Sequence, residues 1–585
     1  MTNVNCSKKI GNTDQFLSKT QLRQKKLFLD TPVVKAVLWI SLPSMMMALM
    51  AALYMFCDQI MMANLIPQYS PFESLINSKI ANFNYSDYQE IVKLLNNNGL
   101  NITEYSSQSI VRNAVANSAP ITVVINATTL LIANGTSVSF SKMNGKKDVI
   151  GAEKTWAIGF YNNLFICLLV SSLLLALCPT IISLENGDPL SQLEQIKDKA
   201  MAIISADQYQ NLYQVYKEAN NMIIEYAQNY SFIIISAMIL SMFDSFFSLL
   251  IISEGRQKMV VFAAVVSNVV NLIMDFVLIY VVHLAMVGGA LATLIGWTFN
   301  CSWYIIQIHF LNKKNDTALV FSALNLKKHG WDWKITKQIF FTGLASFLRN
   351  LSMAAAAWLQ LFLLSSLVIP SIETSGGSAS AYANFYGAIN PIYNLFFPIM
   401  LGTIQGSRIM CSYLYGSNQY KRFRQTYWIA MMIGLIYGFL IMLLIGVALN
   451  SQMLGIFQIN NSQPNFDIAQ MMLLIAMLQM PIYAFTIGGQ IIFQATSKSL
   501  FASICGLMQG FICNLPISFI IAIVAMNIKV IELFLWNPVI VVCTSSAIIL
   551  TWTLWYMRRY FSPDILNNNI RYLNAHKCLD PKSYK

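Results

Sequence analysis

The chain has 585 residues, of which 56% are hydrophobic and only 11% charged. Soluble domains carry about 25% charged residues, so the composition excludes an ordinary soluble protein and points to an integral membrane protein. The formal charge of +12 does not imply nucleic-acid binding, because the basic residues fall between apolar spans rather than in a stripe with interleaved aromatics.

Residues 1–32 are polar and basic without an apolar core, so no cleavable signal peptide is expected and the segment reads as a cytoplasmic arm. Beyond it, apolar runs of about 20 residues, long enough to cross a bilayer as helices, recur twelve times. They cover 33–63, 113–140, 156–182, 230–253, 258–283, 285–311, 335–369, 381–411, 426–449, 467–494, 499–526 and 533–557. Continuous runs lack the alternation of a barrel strand, which leaves helices as the spanning structure. The fold class expected is all-α and integral to the membrane. Its parts are an N-terminal six-helix lobe (33–311), a cytoplasmic linker (312–334), a second six-helix lobe (335–558) and a cytoplasmic tail (559–585).

With both termini placed in the cytoplasm, 30 of the 38 Lys and Arg residues lie on the inner side, seven on the outer side, and one, Arg349, within a span. This is the positive-inside bias. Two outer loops, 64–112 and 183–229, are unusually large and polar, with helix-like patches at Tyr88–Leu95 and Leu193–Ile204, and read either as binding caps or as insertions that decorate the scaffold. The ten cysteines are scattered, without a CxxC pair, and indicate no disulfide framework.

The two halves repeat. An ungapped offset of 271 aligns Asn113 with Asn384, Pro120-Ile121 with Pro391-Ile392, Gly135 with Gly406 and Gly145 with Gly416. An offset of 302 pairs Leu42-Pro43-Ser44 with Leu344-Ala345-Ser346. Six helices per half keep both halves in the same membrane orientation, so the pseudo-two-fold is parallel, along the membrane normal, an architecture of secondary transporters.

Ionisable residues inside spans are functional by default. Asp58 lies about five residues from the outer end of the first span, Asp275 about eight from the outer end of the fifth, and Thr293 about nine into the sixth. At ~1.5 Å rise per residue they share a level, with Tyr54 and Asn271 one turn deeper. Two carboxylates, two hydroxyls and an amide can form an oxygen-lined cation site, a site for a shared proton, or a hydrogen-bonded cluster that only stitches helices together. Asp244, mid-span in the fourth helix, either faces a substrate cavity or joins that cluster. Arg349, near the cytoplasmic end of the seventh span, is expected to snorkel, with a role in a cavity as the alternative. Apart from Asp467 at the outer edge of the tenth span, the second lobe has no acid within a span, and Gln360 stands where the repeat would place a counterpart of Asp58. No P-loop, metal-spaced histidines or nucleophile elbow is present, so an enzyme is not expected.

Several motifs together resemble the multidrug and toxic compound extrusion (MATE) family, in particular its bacterial branch with a cation site in the N-terminal lobe. They are Leu42-Pro43-Ser44 followed by Tyr54-x-x-x-Asp58, then Glu254-Gly255-Arg256-Gln257-Lys258, Asn271-x-x-x-Asp275 and Gly288-Gly289-Ala290-Leu291-Ala292-Thr293. In the second half they are Gly402-x-x-Gln405-Gly406 through Tyr415-Gly416-Ser417, and Tyr420-Lys421-Arg422. The resemblance implies a multi-pass protein of a bacterial cell membrane that exports a small organic, cationic molecule against H⁺ or Na⁺. It implies that Tyr54, Asp58, Asn271, Asp275 and Thr293 couple the ion, with Na⁺ a candidate at Asp58 and Asp275. No cofactor beyond the coupling ion and no nucleic-acid partner are expected, and the protein is expected to be a monomer. A lipid-linked precursor flippase of a related two-lobe fold is the alternative, which would call for a basic cavity.

Overall fold

A computed structural model describes residues 19–561 apart from 71, 73, 76–106, 188, 326–329, 373–378, 457–458 and 460–465. Among the described residues, nine helices are long and apolar enough to cross a membrane, or ten with a pair bent by 48° counted as one span. Two further long helices complete the expected set. In order they are α1 (Val33–Leu65), α2 (Ser107–Gly145), α3 (Val149–Asn186), α4 (Ala206–Ser236 bent into Met238–Ser253), α5 (Gln257–Asp275) and α6 (Ala285–Lys313). The second lobe holds α7 (Trp333–Leu363), α8 (Ala379–Gly416), α9 (Tyr420–Ile441), α10 (Phe466–Ala495), α11 (Ser499–Leu507, resuming over Asn514–Ile528) and α12 (Asn537–Phe561). No strand occurs among the described residues.

Local chemistry sets several ends. Asp148 caps α3 by accepting from Gly151 N at 2.8 Å, and Asp332 caps α7 by accepting from Lys334 N at 2.9 Å. Ser205 and Gln208 form a reciprocal capping box that starts α4 well before the apolar run begins. Much of 183–229 is therefore helical. Short helices Pro189–Gln195 and Lys197–Met201 pack on the start of α4 through Leu193, Ile196, Leu212 and Tyr216. The patch Tyr88–Leu95 lies outside the described residues.

Side chains such as Phe165, Leu169 and Leu173 on α3 and Ile436, Leu443 and Val447 on α9 and its continuation are 56–65% exposed. Long apolar helices with such faces make this a multi-pass membrane protein.

The lobes meet on helices whose glycines are paired by the repeat. A Cβ on Gly135 of α2 would overlap the Ile339 carbonyl of α7. The matching Gly406 on α8 would bring its Cβ within 3.0 Å of the Ile40 carbonyl of α1. Gly145 and Gly416 face each other's helices, where Cβ atoms would overlap the Tyr413 and Lys142 carbonyls. These are the positions aligned by the offset of 271. Only residues without Cβ allow such close backbone approach.

Candidate ion site and cavity in the first lobe

Helices α1, α5 and α6 bring the five residues singled out in the sequence into one neighbourhood. The Tyr54 and Thr293 hydroxyls are 3.0 Å apart. Asp58, one turn along α1 from Tyr54, lies against α6: its Oδ1 is 3.4 Å from where a Cβ on Gly289 would stand. Asn271 and Asp275 share a face of α5, and the Asn271 Cβ is 3.4 Å from the corresponding point on Gly296. Asp275 is the last α-helical residue of α5, where the chain passes into a π-helical turn, Phe276–Val281. Such turns interrupt the regular ladder and frequently occur at functional sites.

Burial is nearly complete: Asp58 is 5% exposed, Asn271 and Thr293 3%, and Asp275 0%. Asp58 and Asp275 lie within electrostatic reach of each other and of Tyr54. Both Asp275 oxygens, the Asp58 Oδ1 and both ends of the Asn271 amide have no hydrogen-bond partner in the protein. A cluster that only held helices together would satisfy its own acceptors. Unpartnered oxygens on two buried carboxylates instead present a ligand set of the hard, oxygen-rich kind that alkali cations and protons take.

Next to this group is a cavity of about 210 Å³, lined on one side by Tyr54, Asn271 and Thr293 and on another by Asp244, Asn300 and Tyr304. All its lining residues belong to the first lobe. Asn300 hydrogen-bonds Asp244. Asp244 thus shares the cavity with Tyr54, Asn271 and Thr293 of the five-residue group, though not with Asp58 or Asp275.

Three residues were missed in the sequence. Tyr230 on α4 interacts electrostatically with Asp58, Tyr54 and Asp275, and Asn300 holds Asp244; neither carries a charge that would mark it out. The third is Arg408. The positive-inside count groups it with the inner-side basic residues although it falls in the run 381–411; it lies within α8 at 2% exposure. Arg349 is corrected as well: it does not snorkel. It is 5% exposed and its Nη1 donates to Gln490 Oε1 at 2.9 Å, because α10 covers the side of α7 from which it projects.

The family model MatE matches residues 385–520. An uncharacterized protein of Mycoplasmoides gallisepticum is 29% identical over 556 residues, covering 92% of this chain and 93% of its own length. An uncharacterized protein of Mycoplasma genitalium is 28% identical over 569 residues, covering 96% and 98%. Among solved structures, an outward-facing multidrug resistance MATE family transporter of the MOP superfamily superposes with a TM-score of 0.68 at 16% identity, over 93% of this chain and 98% of its own. A MATE protein in complex with MaL6 gives 0.67 at 16%, over 92% and 98%. A MOP superfamily transporter from Pyrococcus furiosus, described as having a binding pocket of reversed polarity, gives 0.65 at 16%, over 91% and 97%. The two-lobe, twelve-helix fold is the one these transporters share with this chain.

Proposed function

We propose that this chain belongs to the MATE family, whose model matches residues 385–520 and whose transporters share its fold, and that it exports an organic cation across the cell membrane in exchange for H⁺ or Na⁺. It is a membrane transporter and not an enzyme. The observation that carries the exchange reading is the pair of buried carboxylates, Asp58 and Asp275, with acceptor oxygens free of protein partners.

Two buried like charges at close range repel, so the pair favours a bound cation or proton over the bare dianion. Loading and unloading it changes the charge between α1, α5 and α6 and biases the first lobe between two packings. The cavity's ~210 Å³ is below the ~300–1,000 Å³ of drug-sized pockets but ample for several waters. It therefore suits the coupling ion and its hydration, with Asp244 as a second station on the ion's path. The organic substrate takes the space between the lobes, and alternating access exposes that space to each side in turn, with both termini in the cytoplasm.

The flippase alternative calls for basic groups around a polyanionic headgroup; the first-lobe cavity, with Asp244 and no Lys or Arg in its wall, is not a place for one. The test is efflux from proteoliposomes with Na⁺ and pH gradients imposed separately. Export driven by one gradient and abolished in Asp58→Asn supports the reading. Export of equal rate without either gradient would overturn it.

A further inference from the structure

The second lobe carries buried charge of the opposite sign, and ion exchange in the first lobe leaves it without a role. Arg349 on α7 and Arg408 on α8 are 5% and 2% exposed. Each donates to a neutral amide oxygen: Arg349 Nη1 to Gln490 Oε1 at 2.9 Å, and Arg408 Nη1 to Gln494 Oε1 at 3.2 Å. Arg408 Nη2 also bonds Asn134 Oδ1 of α2. The amides are held in that orientation by their other ends. Gln490 Nε2 donates to the Ala345 carbonyl at 2.6 Å, and Gln494 Nε2 donates to the Thr342 carbonyl and the Ser346 hydroxyl, both at 3.0 Å.

Neither arginine forms an ion pair with a carboxylate of the described residues, and each lies in the field of the other. Arg349 Nε, Arg349 Nη2 and Arg408 Nε have no hydrogen-bond partner among the described residues. A guanidinium does not shed its proton in a protein, and burying an uncompensated ion costs several kcal/mol. Nε and Nη2 of one guanidinium share an edge with two parallel N–H bonds, the fork that matches an anionic acceptor side-on.

We propose that Arg349 and Arg408 form a buried anion site, at which one small monovalent anion, a halide or a carboxylate group, takes the free edge of Arg349 and the free Nε–H of Arg408. The repeat gives the site its place. At the offset of 302, Arg349 corresponds to Met47, which lines the first-lobe cavity. The second lobe thus has a site for negative charge where the first has its acid-lined cavity. Because Arg408 also bonds Asn134, the anion would sit beside the contact between the lobes.

The test is thermal unfolding of the purified full-length protein at fixed sodium and fixed ionic strength, with chloride or acetate replacing gluconate, which is too large for an enclosed site. Constant sodium holds the first-lobe site in one state throughout. The expected result is a saturable rise in Tm. A response to chloride alone assigns a free halide, and a response to acetate assigns a carboxylate. Arg349→Gln should weaken the apparent affinity by about tenfold or more, since both charge-assisted bonds from its free edge are lost. Arg349→Lys, which keeps the charge without the fork, should lose the acetate response more than the chloride response. An unchanged Tm across the three salts in the wild type would overturn the site, as would an equal rise in the wild type, Arg349→Gln and Arg408→Gln. Should Arg349→Gln not fold, the wild-type salt series and Arg349→Lys decide the matter.

Discussion

Arg408 of the second lobe donates to Asn134 of the first, one residue before the glycine at which α2 runs against α7. Other hydrogen bonds that join the lobes among the described residues lie toward the same end of the bundle. The Ser41 hydroxyl donates to the Thr403 carbonyl at 2.9 Å and stands 3.3 Å from the Ser407 hydroxyl, and Lys142 donates to Ser497 at 2.8 Å. That end carries the short basic turns, so the lobes are held together at one end of the molecule.

Alternating access requires this contact to break. Cysteines placed at Ser41 and Ser407, in a background without the exposed Cys543, should form a disulfide under mild oxidation, since their side-chain oxygens already sit at contact distance. Transport should stop on oxidation and return with a reductant. Full transport by the oxidised, cross-linked protein would show that this contact does not open during the cycle.

Neutralising either carboxylate of the proposed ion site should uncouple the proposed transport without unfolding the lobe. Asp58→Asn and Asp275→Asn each remove a charge at nearly constant volume, and each is expected to abolish gradient-driven export in proteoliposomes. The double variant should be little worse than either single one, because residues acting as a unit are not additive. A purely structural pair gives the opposite pattern: lower thermal stability with transport intact in the surviving molecules.

Gly289 offers a graded probe of the same site. A Cβ there meets the Met62 sulfur at 2.9 Å and Asp58 Oδ1 at 3.4 Å. Alanine asks only the flexible end of Met62 to move, and should keep ion-driven transport within about twofold of wild type. Valine adds bulk that must also displace Asp58. Overpacking costs about 1–3 kcal/mol, so a loss of about tenfold in transport is expected for Gly289→Val. Equal rates in the two variants would show that Asp58 need not stay against α6.

The arm helix Lys19–Lys25 is tied to the linker through Asp316, which pairs with Arg23 at 3.0 Å and Arg256 at 2.9 Å. Burial pushes the Asp316 carboxyl up, but bonds and charge from Arg256 and Arg23 outweigh it and hold the group below its ordinary value. A depressed folded-state pKa stabilises above the unfolded value of about 3.9 and loses that stabilisation as pH falls through the folded value. The arm should therefore stay docked at neutral pH and loosen only below about pH 4. Asp316→Asn should loosen it at pH 7, read as faster hydrogen exchange over residues 19–30. Unchanged exchange in the variant would assign the docking to other contacts, such as Gln24 Nε2 on the Ser253 carbonyl at 2.8 Å.

Orientation can be checked at the start of α4. Ser205 is exposed and caps the helix outside the apolar run, so Ser205→Cys should react with an impermeant thiol reagent added to intact cells. Ser107, though polar, is buried and would report nothing. Protection of the Ser205 position in folded protein would reverse the assignment of the basic end to the cytoplasm.

Much of the fold was legible along the chain because a bilayer imposes its demands locally. Each span must be about 20 apolar residues, and each polar loop must keep its basic side chains on one face, so helix number and lobe division follow from runs that any window can detect. The repeat was legible for a related reason. Gly135 and Gly406, or Gly145 and Gly416, can be replaced only where backbones do not cross, so the offset that aligns them also located the lobe contacts. The carboxylates Asp58 and Asp275 stood out because charge in an apolar run is costly wherever it falls.

What the tertiary structure decided concerns partners from distant segments. Whether Asp244 joins the ion site depends on where Asn300 and Thr293 of α6 meet α4 and α5, and no spacing within one helix encodes that. Arg349 and Arg408 are the clearer case. Position along the helix puts Arg349 near a membrane surface, and the charge count groups Arg408 with the inner basic residues, but both meet α10, which supplies Gln490 and Gln494. Hydropathy measures what a segment prefers as solvent; which side chain finally replaces the solvent is settled only when helices far apart in sequence pack together.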